Sequence, residues 1–256
     1  MNAQDIDTLI ASHPILSEHA DFVRSLVRPN VRITISQDAA TGVQSKFGGP
    51  AMVPADFEWP EHDVGLYYFL GQINFAEIEN RPDSLPATGL LALFNADYDP
   101  KSESDEEVFW GDEGYLKAWY FEDVDTLRPM AAPHGRDVQG KRLTLVGELD
   151  IPRHQDMLKG CPFDSEILED LLDVEGECPG PSATVDMLAT DYLLGYPSYY
   201  SLGYNPTPGP EWVSLLTVDS YEQFNWCWQD GAKLMVFIEQ EKLLARDFSN
   251  LMCDAG

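Results

Sequence analysis

A stretch dense in glycine and proline, Lys46 to Ile78, constrains the fold more than any other part of this sequence. It opens with Gly48-Gly49-Pro50, reaches a second turn signal at Pro54, and closes a polar segment at Trp59-Pro60. Glycine allows positive φ angles, and proline fixes φ and removes a backbone hydrogen-bond donor. Because an apolar run follows at once, the stretch predicts tight turns that lead into an apolar strand over Tyr67 to Phe75.

The same order of turn, loop, apolar strand, connection and apolar strand recurs near the C-terminus. Duplication of a strand-pair unit explains the recurrence, since two copies side by side cover each other's apolar faces. Chance similarity between two pairs of strands is the alternative. The repeat-like units span about residues 46–95 and 194–239. The matching segments are Phe47–Pro50 with Leu194–Pro197, Tyr68–Asn74 with Val213–Asp219, and Gly89–Phe94 with Lys233–Ile238.

Helical periodicity is confined to two parts of the chain. Apolar residues recur at helical spacing within residues 4–28 and again over Ser165–Val174, and a shorter helix is expected over Ser182–Leu188. Strands and helices do not alternate regularly, as they would in a doubly wound parallel sheet. We therefore expect an α+β fold with mostly antiparallel sheets, an internal repeat of a strand-pair unit, and helices at the N-terminus and mid-chain. One domain is expected over residues 1–256, with residues 1–30 as its helical segment.

Charge is the unusual feature of the composition. The chain has 44 Asp and Glu against 16 Lys and Arg, which gives a formal net charge of −28. This excess disfavours nucleic acid and anionic membrane surfaces as partners, because counterion release needs clustered Lys and Arg. A basic protein partner or a divalent cation fits better, and an acidic surface that serves only solubility is the plain alternative.

No motif for catalysis or for a cofactor stands out. The four cysteines form no C-x-x-C pair, the histidines lack metal-ligand spacing, and neither a nucleophile elbow nor a phosphate-binding loop is present. We therefore expect no enzymatic activity, no metal and no other cofactor. The N-terminus has acids where a signal peptide needs basic residues, and no apolar run is long enough for a membrane span. These features predict a cytoplasmic protein.

Two segments concentrate the acidic residues. Asp97 to Glu113 contains eight acids against the single base Lys101, and Asp164 to Glu177 contains seven acids and no base. The first segment alternates somewhat like a calcium loop, but it lacks the glycine that such a loop needs at its sixth position. It also carries two aromatic residues suited to anchoring a partner. We predict that the partner-binding residues are Asp97, Asp99, Glu103, Asp105, Glu106, Glu107, Phe109, Trp110, Asp112 and Glu113.

Several short motifs occur in order over roughly Val31 to Asn250. They are Phe47–Pro50, Pro54, Glu58–Pro60, Leu70–Phe75, Leu194–Pro197, Leu215–Asp219, Trp228–Gly231 and Asp247–Asn250. Their order and spacing resemble the YwqG-like family, a bacterial domain family of unknown function. The resemblance implies a single α+β domain with antiparallel strands, and it implies no established catalytic residues. This chain departs from the family's usual pattern in its two acid-rich segments.

Some acidic cytosolic proteins of this kind look like immunity proteins paired with antibacterial toxins. We therefore expect an immunity protein that neutralises a basic, nuclease-like toxin, because carboxylates can occupy a cationic groove that would receive phosphates. The alternative is an uncharacterised enzyme or small-ligand-binding protein that uses a pocket between the repeated units. Loops such as Tyr196–Pro210 would line that pocket.

Overall fold

The computed structural model describes residues 1–62, 65–98, 108–133, 138–154, 157–167 and 188–256. The described residues include the α-helices α1 (Ala3–Ser12), α2 (Pro14–Glu18), α3 (Ala20–Ser25) and α4 (Gln240–Ala245). The strands are β1 (Arg28–Ala39), β2 (Lys46–Phe47), β3 (Ala51–Val53), β4 (Gly65–Asn74), β5 (Leu90–Tyr98), β6 (Leu116–Phe121), β7 (Arg128–Met130), β8 (Lys141–Asp150), β9 (Asp191–Leu194), β10 (Trp212–Asp219), β11 (Lys233–Glu239) and β12 (Leu251–Ala255).

The N-terminal helices form where capping and apolar spacing agree. The Asn2 side chain accepts hydrogen bonds from the N–H groups of Gln4 and Asp5, and the Asp5 carboxylate accepts one from the N–H of Asn2. This capping box starts α1, and Pro14 starts α2 in the first turn, where its missing N–H is no loss. The helices pack with Ile151 in a small core separate from the main one. In the part of the chain that the structure describes, no helix is long and apolar enough to cross a membrane.

Ten strands form one antiparallel sheet in the order β12-β11-β10-β9-β1-β8-β2-β4-β5-β6, and β3 and β7 form a separate pair. The order has an internal symmetry. The pair β1–β8 lies at the centre, with β2, β4, β5 and β6 on one side (the first unit) and β9 to β12 on the other (the second unit). The sheet curves until its edge strands, β6 and β12, lie next to each other without pairing.

The strands of the two units match in register. Phe47 in β2 pairs with Gly71 of β4, and Leu193 in β9 pairs with Leu216 of β10. In both units a β-bulge lies immediately before the paired residue of the longer strand, before Gly71 in β4 and before Leu216 in β10. A bulge re-aims a strand and sets its local twist. Its presence at the same place in β4 and β10 indicates one arrangement used twice.

This register keeps the sequence alignment of β4 with β10, in which Gly71 matches Leu216, but it moves the alignment of the turns after β2 and β9 by one residue. Two consecutive left-handed residues follow the start of each unit, Gly48-Gly49 in the first and Leu194-Gly195 in the second. Turn geometry therefore aligns Gly48 with Leu194, whereas the shared proline had aligned Gly48 with Gly195. The alignment of β5 with β11 shifts by one residue as well, because Gly71 pairs with Leu93 and Leu216 pairs with Val236.

The α+β fold class predicted from the sequence is wrong, because the described chain is mostly β. The predicted N-terminal helical segment consists of three short helices, the longest of ten residues, since Pro14 and His19 interrupt the helical run. The predicted mid-chain helices over Ser165–Val174 and Ser182–Leu188 lie almost wholly outside the described residues. Elsewhere the apolar runs pair as antiparallel strands, and such sheets can bury one face without a layer of helices.

The main core joins the two units. It contains buried side chains from β4 and β5 of the first unit and from β10 and β11 of the second. The ring of Phe47 contacts Phe224 and Trp226, with centroids 6.0 and 5.1 Å apart. Phe57 and Trp59 lie half-buried over an aromatic ring of β5. The glycine- and proline-rich stretch therefore supplies packing to the fold.

Candidate interaction surface

The predicted partner-binding residues fall into three groups in the structure. Phe109, Trp110, Asp112 and Glu113 belong to a turn that leads into β6. Asp97 lies near the end of β5, where it pairs with β4. The other five lie outside the described residues, and they are Asp99, Glu103, Asp105, Glu106 and Glu107.

Hydrogen bonds within the turn fix its shape. The N–H of Phe109 donates to Oδ2 of Asp112 over 2.8 Å, and the N–H of Asp112 donates to the carbonyl of Phe109 over 2.9 Å. Aspartate favours such turns because its short carboxylate reaches nearby backbone donors. The turn leaves Phe109 50% exposed, edge-on to Trp110 with ring centroids 5.9 Å apart. Asp112 and Glu113 are exposed beside it.

Side-chain contacts hold this turn against β12. The thiol of Cys253 donates to the backbone carbonyl of Trp110 over 2.9 Å. Burial raises the pKa of Cys253, so the sulfur keeps the proton that this bond uses. Just before β6, Nε1 of Trp228 donates to the hydroxyl of Tyr115 over 3.2 Å. The first bond thus joins the turn to β12, and the second joins the residue before β6 to the segment that precedes β11.

β12 presents a thioether and a carboxylate on its outer face, opposite to the buried face that holds Cys253. Met252 is 44% exposed. Oδ1 of Asp254 accepts from the N–H of Ala255 over 2.8 Å, and Oδ2 accepts from the hydroxyl of Tyr204 over 2.7 Å. The hydrogen bond to Asp254, more than burial, raises the pKa of Tyr204. Because the N–H of Ala255 already donates to a side chain, it is not available to pair with another strand.

The loop from Ser198 to Tyr204 continues the surface. Tyr199 is buried against β11, whereas Tyr200 is 65% exposed and Tyr204 is 58% exposed. Four of the five large hydrophobic side chains exposed in the described chain therefore lie on β12 or on the two segments bonded to it. The β12 surface, as we call it, has two parts: Phe109 with the acids Asp112 and Glu113 at the turn, and Tyr200, Tyr204 and Met252 with Asp254 on the outer face of the sheet.

A buried carboxylate elsewhere in the sheet has a structural explanation. Asp191 accepts hydrogen bonds from the Tyr221 hydroxyl and, over 2.8 Å, from the N–H of Asp219, while burial raises its pKa. In the first unit, the Ser45 hydroxyl accepts the equivalent bond from the N–H of Asn74 over 2.9 Å. In both units the side chain at this position therefore hydrogen-bonds the neighbouring strand. This structural role explains the burial of Asp191 without a catalytic one.

A cleft of about 770 Å³ lies between the start of α1 and strands β1 and β8. Asn2, Arg32 and Glu148 are among the residues that line it. Nε of Arg32 donates to Oε1 of Glu148 over 2.9 Å and the ammonium of Met1 donates to Oε2 over 2.7 Å, so two cations share one carboxylate. Among the described residues, no group of three His, Cys, Asp or Glu side chains is arranged to hold a metal ion.

Sequence reasoning missed Tyr200, Tyr204, Met252 and Asp254 as parts of one surface. The tyrosines lie in a loop that the sequence predicted to line a ligand pocket. The aromatic residues of this loop were recognised, but their position beside β12 was not. In β12, buried Leu251 alternates with exposed Met252. A strand of five residues is too short for this alternation to show which face meets solvent.

The family comparison covers nearly all of this architecture. A family model described as Domain of unknown function (DUF1963) matches residues 45–255. The matched range includes both units and the β12 surface, and it leaves out α1 to α3 and β1. We found no match among curated proteins.

Proposed function

This chain belongs to the DUF1963 family, and within that family we propose that it is an acidic binding protein for a basic protein partner. The main observation in support is the β12 surface, where exposed aromatic and thioether side chains lie beside acids. Phe109 adjoins Asp112 and Glu113, and Tyr204 is bonded to Asp254. Aromatic and Met anchors surrounded by polar groups are typical of protein interfaces.

The net charge of this chain supports a positively charged partner. At −28, the field of the whole molecule attracts a cationic protein and speeds its approach. Such steering is screened by salt, so binding should weaken as ionic strength rises. The turn at Phe109 then supplies apolar contact where the charges meet, because its ring is half exposed.

We further propose that the partner is an antibacterial toxin with a nuclease-like active site, and that this chain is its immunity protein in the cytoplasm. The support is charge mimicry, in which carboxylates occupy a cationic groove built for phosphates. We also propose the YwqG-like family as the place of this chain within DUF1963. The motifs that carry that resemblance lie within the matched range of residues 45–255.

The test is binding to the purified product of the neighbouring gene, measured by calorimetry. We expect Asp112→Lys combined with Glu113→Lys to weaken binding at least tenfold, because two attractive contacts become repulsive. Phe109→Ser should weaken it by a similar factor through the loss of an anchor. A second variant, in which Glu103, Asp105, Glu106 and Glu107 are all replaced by Lys, tests in the same way whether the rest of the acidic segment contributes to binding.

Matched controls separate local contacts from overall charge. Asp21→Lys combined with Asp38→Lys makes the same change in net charge at exposed positions away from β12, and Leu244→Ser removes an equally exposed apolar side chain from α4. These variants should change binding less than threefold. Binding that survives every reversal unchanged would contradict charge mimicry.

The cleft at α1 supports a second candidate, a small-ligand-binding protein. Its volume of about 770 Å³ falls within the range of ligand pockets, and it lies on the central β1–β8 pair between the two units. A metabolite that raises the melting temperature of wild type but not of Arg32→Ala would favour this function, provided that no protein partner binds.

A further inference from the structure

The outer face of the central strands carries a buried lysine. Phe47 of β2 packs into the main core, and neighbouring residues of a strand point to opposite faces of the sheet. Lys46 therefore points outward, although it is only 3% exposed. Gln72 of β4 and Arg142 of β8 lie directly opposite Lys46 on its two sides. Side chains that are opposite in antiparallel strands share a face, so these three residues are neighbours.

The ammonium of Lys46 has no counter-ion in the part of the chain that the structure describes. No hydrogen bond or ion pair joins it to another described group. Burial alone lowers its pKa to about 8, so no carboxylate acts on it to offset the burial. At pH 7 the amine still carries its proton, and buried charges in proteins are normally paired. The position therefore lacks an anion.

The polar groups that surround Lys46 are already engaged with the backbone. Nε2 of Gln72 donates to the carbonyl of Gln44 over 2.8 Å, and its Oε1 accepts from the N–H of Met52 over 3.2 Å. The carboxylate of Glu77 accepts from the N–H of Ser45 over 2.7 Å. These bonds hold the neighbourhood of Lys46 in place without supplying its charge with a partner.

Two further donors lie on the same face of β8. Arg142 is exposed, and within the described chain its guanidinium makes no hydrogen bond or ion pair. Thr144, two residues along the strand, faces the same side and is also exposed. In a chain with a net charge of −28, two adjacent cations without an acid partner are exceptional. We call Lys46, Arg142 and Thr144 the β8 donor group.

We propose that the β8 donor group binds a phosphate group, either free or carried by a small molecule. Lys46 would supply a fixed point charge, and Arg142 a planar pair of N–H donors that closes over the anion from the exposed side. The hydroxyl of Thr144 can donate to a further oxygen. The ligand is small, because the net charge of −28 repels a polyanion.

This site is separate from the two surfaces described above. The cleft at α1 is lined by residues 146–149 of β8, whereas the β8 donor group lies toward the start of that strand. β12 is at the far edge of the sheet, with β11, β10, β9 and β1 between it and β8. The inference therefore does not rest on the proposed function.

Calorimetric titration of the full-length chain with inorganic phosphate at pH 7 tests the site. We expect Lys46→Met and Arg142→Gln each to weaken binding at least tenfold, because each removes a charge-assisted hydrogen bond. Thr144→Val should weaken it about threefold, since a neutral hydrogen bond is lost. Lys46→Met should fold, because it replaces a buried charge with an apolar chain, and Arg142→Gln changes an exposed position.

The titration of Lys46 gives a second measurement. Carbon-13 NMR of labelled lysine follows its pKa, and the signal that Lys46→Met lacks identifies the residue. Phosphate should raise this pKa from about 8, because a bound anion favours the charged amine. Sodium chloride at the same ionic strength should leave it unchanged. A lysine with only a structural role would show no such difference between the two salts.

Lys159→Gln is the matched control for charge. It removes one positive charge at an exposed position in the segment after β8, and it should bind phosphate within twofold of wild type. An equal loss in Lys159→Gln and Lys46→Met would overturn the site, because overall charge would then explain the binding. Wild type that binds no phosphate, or a Lys46 pKa that phosphate does not move, would overturn it as well.

Methyl phosphate distinguishes the two sources of the phosphate group. Binding as strong as that of inorganic phosphate, and equally sensitive to Arg142→Gln, would support a phosphate carried by a small molecule. Binding of inorganic phosphate alone would support free phosphate. The neighbouring gene product takes no part in these measurements, so failure here leaves the proposed function standing, and failure of partner binding leaves this site standing.

Discussion

The hydroxyl of Tyr204 donates to Oδ2 of Asp254 over 2.7 Å, across 50 residues of sequence. This bond joins the loop of the second unit to the last strand, and it is the main reason that the pKa of Tyr204 is raised. Because the carboxylate opposes loss of the phenolic proton, we expect Asp254→Asn to lower the pKa of Tyr204 toward its ordinary value. A pH titration followed by carbon-13 NMR of labelled tyrosine measures the change.

The matched control for this prediction is Asp230→Asn. Asp230 is an exposed acid, and the Tyr204 hydroxyl bonds to Asp254 rather than to it. The control should leave the titration of Tyr204 as in wild type. An equal shift in both variants would mean that general charge, rather than this bond, sets the pKa.

Lys46 gives a pH-dependent prediction. It is 3% exposed, and burial lowers its pKa from 10.5 to about 8. Below pH 8 the folded state carries a buried ammonium at a cost. Between pH 8 and 10.5 the folded chain has lost this proton while the unfolded chain keeps it, so the contribution of Lys46 to stability rises with pH. The full change is about 3 kcal/mol, at about 1.4 kcal/mol per pKa unit.

We therefore expect Lys46→Met to be more stable than wild type at pH 7 and to lack this gain between pH 8 and 10.5. Urea unfolding at a series of pH values measures both effects. Lys159→Met, which changes an exposed lysine, should follow the wild-type dependence. A Lys46→Met curve parallel to wild type over this window would refute the assignment.

Gly71 gives a prediction about the first unit. A Cβ at this position would lie 2.5 Å from the carbonyl oxygen of Lys46 and 2.6 Å from Cδ1 of Phe47. The equivalent residue of the second unit is Leu216, so the unit itself does not require glycine here. We expect Gly71→Ala to lose about 1–3 kcal/mol of unfolding free energy, because buried atoms must move.

Urea unfolding at pH 7 measures this loss. Gly111→Ala is the control, because no atom lies within 4 Å of its added Cβ. It should change stability by less than about 0.5 kcal/mol. If both substitutions cost the same, steric conflict at Gly71 is not the cause.

The contact between Trp228 and Tyr115 gives a prediction about how the segment before β11 is held to the residue before β6. Both residues are buried, and Nε1 of Trp228 donates to the Tyr115 hydroxyl over 3.2 Å. Tyr115→Phe should cost about 1–3 kcal/mol in chemical unfolding, because it leaves a buried indole N–H unpaired. Combining it with Trp228→Phe should cost less than the two single changes together, and strict additivity would argue against coupling. Tyr200→Phe, at an exposed position, serves as the control.

Several features of the fold were visible in the sequence because they depend on local chemistry. Glycine pairs and prolines marked the turns, and the recurrence of turn and strand patterns marked the two units. The alignment of the turns was not visible, since the shared proline suggested one register and the left-handed pair Leu194-Gly195 sets another. The fold class was wrong because three short helices at the N-terminus are outweighed by the strands that follow.

The candidate site was visible only in part. The turn at Phe109 could be selected because acids and aromatics are adjacent in the sequence. Met252 and Tyr200 could not be joined to it, since nothing local places β12 beside that turn. The hydrogen bond from Cys253 to the carbonyl of Trp110 spans 143 residues, and such contacts depend on how the whole sheet curves.

By itself the sequence determined the excess of negative charge, the paired turn signals and the repeated strand pattern, because each follows from residue type and short-range spacing. Only the tertiary structure decided that β6 and β12 meet, and that β3 and β7, from distant parts of the chain, pair over the first unit. Strand pairing joins residues far apart in the chain, and its register is set by bulges and by burial on both faces. The surface proposed for the partner arises from that long-range pairing.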